Sequence, residues 1–453
     1  MCTSGSRHRQ HSASLVMSYH SISSRRTRFC LKKRQTRRYL FALLLFLTLT
    51  LMTLYEFYFT IAQRAKNGET EASILEAVLC QVFMLTVCPK KDNASLVQLR
   101  NKIEDINRAQ TIKNVDGYKI TDETVVFVIQ VHRRPAHLKA LIESLRSVVD
   151  IKSALLIFSH DYYDEEINEV VNSIDFAPFM QIFLPFSIQL HPDEFPGFGS
   201  NDCPWNLDVD KARQQECEGA QTPDQYGHYR QGEVTQLKHH WWWKINRVFD
   251  QLNVTANFNG FVVFLEEDYY IAPDVLHTLR LMVNLAASDC PECNNFHLGT
   301  FSKSQKYEED ANKVGIGQWN NLGFSFNRTF WHVLRSCASV FCTFDDYNWD
   351  WSYHYAAQQC FFQKLTPLIV RASRVFHVGD CDGMHNQRDD CSFETSIRGA
   401  KEFVESVKIA LFPESLVLEG KNHYQTIVQK GWGGWSDPRD IQLCLNISSV
   451  DIS

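Results

Sequence analysis

Residues 260–273 read GFVVFLEEDYYIAP. A continuous apolar run of strand length meets three successive carboxylates, two tyrosines and a proline suited to a helix start. Like charges at one strand end repel. Either the strand runs out into water there, or a cation sits against Glu266, Glu267 and Asp268.

Working outward, the same alternation recurs. VVFVIQVH (125–132) is another apolar strand, RPAHLKALIESLRSVVD (134–150) has helical spacing, and SALLIFSHD (153–161) returns to strand. MQIFLPFSI (180–188) and a long aromatic helix from about residue 235 lead back to the opening strand. Strands alternating with helices predict an α/β fold, a mostly parallel sheet flanked by helices on both faces. Ligands of such sheets bind beyond the carboxyl ends of the strands. Three predicted strands end in polar clusters: Gln130–His132–Arg133–Arg134, Ser159–His160–Asp161 and Glu266–Glu267–Asp268. The expectation is that all three lie on one rim.

The N-terminal part has a different character. The net charge of −6 hides ten Lys/Arg and no acid within residues 1–38, which leaves the remaining chain 36 Lys/Arg against 52 Asp/Glu. An acidic body of that kind excludes nucleic acid as the partner class, since phosphate binding needs a basic face. YLFALLLFLTLTLMTLY (39–55) and FYFTIA (57–62) follow the basic tail. Seventeen uncharged residues plus a further apolar turn suffice to cross a hydrocarbon core of about 30 Å. The run is long for a signal peptide and lacks a prompt small-residue cleavage site. The expectation is therefore a cytosolic basic tail (1–38), a transmembrane signal-anchor (39–62), a luminal stem (63–118) and a catalytic domain (119–453), in type II orientation. Fourteen cysteines, ten of them from Cys203 to Cys444, suit an oxidising compartment, as do sequons at Asn93, Asn253, Asn327 and Asn446. Cys80 and Cys88 could bridge each other or two chains, which leaves a homodimer open.

Two further stretches carry chemistry. RVFHVGDC (374–381) sets His377 directly after a short apolar run. One carboxylate and one imidazole would leave most positions of a divalent ion open for diphosphate oxygens and water; a core histidine is the bland alternative. TFDDYNWDWSYHY (343–355) interleaves Asp345, Asp346 and Asp350 with aromatic rings. Rings stack on the apolar face of a sugar while carboxylates take its hydroxyl protons, and tryptophans beside Asp350 raise its basicity by desolvation. The tryptophans of KHHWWWK (238–244) read as buried helix residues, whereas Gln236, Lys238, His239 and His240 could reach a phosphate. No P-loop, dinucleotide fingerprint or nucleophile elbow occurs. These pieces point to a metal-dependent nucleotide-sugar transferase.

QVHRRP, IFSHD, LPFSIQLHPDEFPG, YGHYR, KHHWWWK, FLEEDYYIAPD, CPEC, FCTFDDYNWDWS, FHVGDC and GGWSDPRD, in that order, resemble the α-1,6-mannosyl-glycoprotein 2-β-N-acetylglucosaminyltransferase (N-acetylglucosaminyltransferase II) family. The resemblance implies a GT-A glycosyltransferase fold (Rossmann-like) in the Golgi membrane. It implies inverting transfer of GlcNAc from UDP-GlcNAc, in β1,2 linkage, to the α1,6-arm mannose of an N-glycan, converting hybrid to complex type. By matching motif it implies Asp268 and His377 as Mn2+ ligands and Asp350 as catalytic base. Donor would be held by Gln130, Val131, His132, Arg133, Arg134, Asp161, Gln236, Leu237, Lys238, His239 and His240, with Glu266 and Trp349 on the acceptor side. It further implies the pairs Cys203–Cys217, Cys290–Cys293, Cys337–Cys360, Cys342–Cys444 and Cys381–Cys391. The chain departs from the family pattern at Arg133 (family Asn), at Tyr269 (family His) and in a Cys381–Cys391 loop two residues longer. Gln305 stands near the place of a substrate-contacting Arg. Rival readings are transfer to the α1,3-arm mannose, a non-catalytic glycan-binding membrane protein on the same fold, and a secretory metal-dependent hydrolase.

Overall fold

The alternation of residues along two neighbouring strands organises the molecule. In β1 (Val126–Val131), Phe127, Ile129 and Val131 join one buried cluster, while Val126 and Val128 join another. Successive side chains of a strand point to opposite faces, so β1 is covered on both. Its neighbour β2 (Leu155–His160) divides the same way, Leu156 and Phe158 against Leu155 and Ile157. The computed structural model describes residues 93–115, 118–302, 305–379, 382–383, 386–387, 392–421 and 428–449. The expected tail, anchor and most of the stem, with Cys80, Cys88, Cys381 and Cys391, lie outside these residues, as does the side chain of Asn93. Among the described residues no helix is long and apolar enough to cross a membrane.

A helix α1 (Asn93–Ala109) precedes β1. Between β1 and β3 (Phe179–Phe183) lie α2 (Pro135–Arg146), β2 and α3 (Glu165–Asn172). Helices α4 (Val209–Gln215) and α5 (Gly232–Asn246) lead to β4 (Val262–Glu266), β5 (Tyr269–Ile271) and α6 (Val275–Asp289). Then come β6 (Asn295–His297), α7 (Tyr307–Asp310), β7 (Lys313–Ile316) and β8 (Phe324–Phe326). Helices α8 (Arg328–Ser336), α9 (Ala338–Thr343) and α10 (Trp349–Gln359) precede β9 (Pro367–Val370) and β10 (Val375–His377). A short hairpin of β11 (Asp382–Gly383) and β12 (Asn386–Gln387), α11 (Phe393–Ser406), β13 (Val417–Lys421) and α12 (Pro438–Ser449) complete the described chain.

Nine strands form one mixed, mostly parallel sheet in the order β13-β7-β9-β6-β8-β4-β1-β2-β3. Pairings β1–β2, β1–β4, β2–β3, β6–β9 and β7–β13 are parallel; β8 runs antiparallel to β4 and β6. Local chemistry agrees with each element. Pro135 occupies the first turn of α2, where its missing N–H costs nothing, and Leu138, Leu141, Ile142 and Leu145 turn one stripe toward the sheet. Asp164 caps α3 by accepting from Ile167 N at 3.0 Å. On the opposite sheet face, α5 brings Trp241, Trp242 and Trp243 inside, as the sequence predicts.

The last part of the segment expected as a stem packs against the folded body. In α1, Ile103 is 3% exposed and packs with Phe183 and Leu190, while Arg100 Nε donates to Leu190 O at 2.8 Å. A helix needs only one narrow apolar stripe to dock, and Leu99, Ile103 and Ile106 supply it at spacings of four and three.

Candidate active site at the strand ends

Parallel register delivers the three polar clusters to one edge. Gln130 is the Cα partner of both Ser159 and Glu266, and Val131 pairs with His160. The rim is then knitted by opposite charges. Arg134 Nε donates to Glu267 Oε1 at 2.8 Å and its guanidinium reaches Asp268 Oδ2 at 3.0 Å. The backbone N–H of His132 donates to Glu267 Oε2 at 2.8 Å. His132 Nδ1 lies 2.7 Å from Asp161 Oδ1, and Gln236 donates to Asp161 Oδ2 at 3.2 Å.

These neighbours set the protonation states. Burial opposes the charge on Asp161, but the hydrogen bond to His132 and the His240 imidazole 3.6 Å away outweigh it and hold the carboxyl below its usual range. Burial likewise disfavours the His132 imidazolium, yet Asp161 and Glu267 raise its pKa. Glu266 and Glu267 are pushed up, chiefly by burial, with Asp268 adding repulsion on Glu266. Asp268 alone of the three goes down: burial is overcome by His377 and Arg134.

The pairing of Asp268 with His377 depends on a small second sheet. Strand β10 runs antiparallel to β5, with His377 opposite Tyr269, and Val378 N donates to Asp268 O at 2.9 Å. His377 Nε2 thereby lies 3.4 Å from Asp268 Oδ2. It is half-buried, with one nitrogen facing a carboxylate, and so is no ordinary core histidine. Beside this strand pair, fully buried Arg374 holds Asp274 at 3.0 Å and donates to Ala372 O and Ala311 O. Asp268 Oδ1 is buried without a hydrogen-bond partner. A Cβ on Gly379 would come within 2.2 Å of Asp268 Oδ2. An orphaned carboxylate oxygen, an imidazole nitrogen and a backbone kept clear by glycine are a donor set that a divalent ion fits. Among the described residues no group of three or more His, Cys, Asp or Glu could hold a metal.

Asp350 stands in the first turn of α10, where Oδ1 accepts from Trp351 N at 2.9 Å. It lines a cavity of about 440 Å3 with Trp351, His354, Trp319, Asn320 and Asn321. Asn321 connects that cavity to the rim by donating to Glu266 Oε1 at 3.3 Å. Burial lowers the His354 pKa to about 4, so the cavity wall it forms is neutral.

Not every predicted residue reaches this place. Lys238 and His239 face away: Lys238 Nζ donates to Phe344 O and Asp346 O, and His239 Nε2 pairs with Asp440 at 2.8 Å. A helix turns about 100° per residue, so five consecutive residues of α5 cannot share one face. Gln236 and His240, four apart, do share it. Leu237 is half-buried, and Val131 is a core side chain whose carbonyl accepts from Asp161 N at 3.3 Å. Trp349 stacks on Trp241 at 4.3 Å and meets Trp319 edge-on, so it packs the wall from behind while Trp351 faces the cavity. Arg133 is exposed, its guanidinium 4.3 Å over Tyr162. Tyr269 is fully buried and donates to Asn321 O at 3.3 Å, and Gln305 braces a loop by accepting from Ser373 N at 2.8 Å. Sequence reasoning missed Lys244, Trp319 and Asn321. Lys244 stood in a quoted motif; the other two carry no local signal.

Four disulfides are present among the described residues: Cys203–Cys217, Cys290–Cys293, Cys337–Cys360 and Cys342–Cys444. Of the sequons, Asn253 and Asn446 are exposed, whereas Asn327 is the N-cap of α8 and accepts from Phe330 N at 3.2 Å.

The profile of the family described as N-acetylglucosaminyltransferase II (MGAT2) matches residues 100–444. The alpha-1,6-mannosyl-glycoprotein 2-beta-N-acetylglucosaminyltransferase of Sus scrofa is 39% identical over 361 residues, 79% of this chain and 80% of that protein. Its Homo sapiens counterpart is 39% identical over 362 residues, again 79% and 80%. The Arabidopsis thaliana protein of the same name is 34% identical over 344 residues, 75% and 78%. The profile spans every element of the rim and of the cavity, and the chain belongs to the N-acetylglucosaminyltransferase II family.

Proposed function

We propose that this chain is a GT-A glycosyltransferase that moves GlcNAc from UDP-GlcNAc, in β1,2 linkage and with inversion, to the α1,6-arm mannose of an N-glycan. Family membership over residues 100–444 supports the activity. The observation that carries the site is the meeting of Asp268 and His377 at 3.4 Å on a rim that adjoins the cavity lined by Asp350.

Asp268 and His377 would hold Mn2+, whose Lewis acidity offsets the negative charge on a diphosphate leaving group. The chain's own residues perform the remainder. Gln130, His132, Asp161 and Gln236 form the donor-facing rim, and Arg134 fixes Glu267 beside Asp268 so that the acid cluster keeps its shape. Asp350 takes the proton from O2 of the acceptor mannose as that oxygen attacks the anomeric carbon from the face opposite UDP. Trp351 and Trp319 give the acceptor an apolar wall, and Asn321 ties that wall to Glu266. The basic tail and apolar run support placement in the Golgi membrane as a single-pass type II protein with a luminal catalytic domain.

The deciding experiment uses the full chain in detergent. It is incubated with UDP-GlcNAc, with Mn2+ or EDTA, and with biantennary acceptors lacking GlcNAc on one arm or the other. Transfer to the α1,6 arm alone, lost in EDTA, is the expected result. Transfer to the α1,3 arm, release of free GlcNAc, or no turnover each defeats the reading in favour of a specific rival.

A further inference from the structure

Helix α5 ends beneath the rim with a buried cation. Lys244 is 2% exposed and donates from Nζ to Gln130 Oε1. The groups that face it come from three elements: Gln130 on β1, Glu266 on β4 and Asp161 after β2. Burial outweighs the favourable charges of Glu266 and Asp161 and lowers its pKa to about 7.

This contact bears on which way the Gln130 amide is turned. The oxygen and nitrogen of a Gln carboxamide are interchangeable in shape, and only the hydrogen-bond partners tell them apart. In its ammonium form, which prevails below about pH 7, Lys244 has three donors and no acceptor and so faces the oxygen. The NH2 of Gln130 is thereby turned away from Lys244. Gln130 is half-buried on β1, one residue before that strand ends at the rim. Among the described residues Lys244 is its hydrogen-bond partner, through the oxygen.

We propose that Lys244 is a positioning residue that locks the Gln130 amide with its two N–H donors toward the rim, so that Gln130 recognises an acceptor oxygen of the nucleotide-sugar donor. This rests on the donor site proposed above and deepens it. An amide free to flip would accept or donate equally; the buried lysine removes the choice before ligand arrives. Preorganisation of that kind acts on binding rather than on the chemical step.

The test titrates UDP, in Mn2+, against the detergent-solubilised full chain and three variants. Gln130→Glu keeps an oxygen for Lys244 but removes both donors; Gln130→Leu removes them without adding charge. Both should bind UDP about tenfold more weakly, the worth of one hydrogen bond to a charged or strongly polar group, and raise KM for UDP-GlcNAc more than they lower kcat. Lys244→Met should show the same split while unfolding cooperatively. A merely structural lysine would change the melting temperature and leave the KM of the folded enzyme alone. Gln130→Leu binding UDP like the parent chain overturns the proposal, as does a folded Lys244→Met with unchanged KM. Should Lys244→Met not fold, the Gln130 pair decides. A parent chain that neither binds UDP nor transfers GlcNAc would instead sink the functional reading itself.

Discussion

The two sides of helix α5 carry similar residues to different ends. Toward the rim it presents Gln236, His240 and Lys244, which meet Asp161 and Gln130 at the edge of an open site. Toward the C-terminal segment it presents Lys238 and His239. Lys238 lies 4.2 Å over the Trp435 ring, and His239 shares Asp440 with Arg230, all of them buried. Each side pairs cations with carboxylates or carbonyls. The difference is access: on the C-terminal side Lys238, His239 and Asp440 are sealed inside the fold, His239 Nδ1 even without a hydrogen-bond partner, whereas at the rim the unsatisfied Asp268 Oδ1 stands beside half-buried Gln130 and His377. Residue type alone does not separate a catalytic cluster from an internal clasp; access from outside the fold does.

Four measurements can break or sharpen this contrast. The largest effect belongs to the open side. Asp350→Asn should lower turnover by roughly 100- to 10,000-fold, the usual worth of a general base, while UDP affinity and unfolding stay as they were. Near-normal turnover would remove Asp350 from the chemistry. Next comes the clasp. Asp440→Asn leaves Arg230 and His239 without their shared carboxylate, and loss of one partner from a buried ion pair costs about 3–5 kcal/mol. Chemical denaturation should show that loss, with the KM for UDP-GlcNAc of the folded fraction unchanged; a shifted KM would mean that the clasp reaches the rim.

A smaller effect is expected for Lys238→Met. The chain length is kept, but Phe344 O and Asp346 O lose a donor, for about 1–3 kcal/mol. Donor affinity should not move, which a UDP titration checks directly. The mildest prediction concerns pH. Burial lowers the pKa of His160 and His297 from 6.5 to about 3. Their unfolded forms therefore bind protons first, so the stability they contribute is whole above pH 6.5 and declines as pH falls toward 3. Denaturation midpoints between pH 7 and 4 should fall, and His297→Phe should flatten that slope; an unchanged slope would show that the folded imidazole takes up its proton over the same range as the unfolded one.

Much of the fold was legible in advance because period and composition are local properties. The strands ending at Val131, His160 and Glu266 announce themselves as apolar runs bounded by polar clusters, and α2 and α5 show helical spacing. Which side of α5 serves the site was not legible, because Lys238, His239 and His240 are adjacent letters and only helix phase against a packed sheet assigns them. The docking of α1 was hidden for a related reason: three apolar residues among many charges look like solvated helix until Phe183 and Leu190 are placed opposite them.

The chain by itself determined the alternation of strand and helix, the acid cluster after Leu265, the lone His377 after an apolar run and the ordered motifs that carry the family resemblance. Each depends on neighbours in the chain. Tertiary structure decided the rest: that register brings Gln130, Ser159 and Glu266 level, and that pairing of β5 with β10 carries His377 across more than a hundred residues of chain to Asp268. It also decided that Asn321 links the two halves of the site. Contacts between distant segments depend on strand order and register, which no single segment encodes.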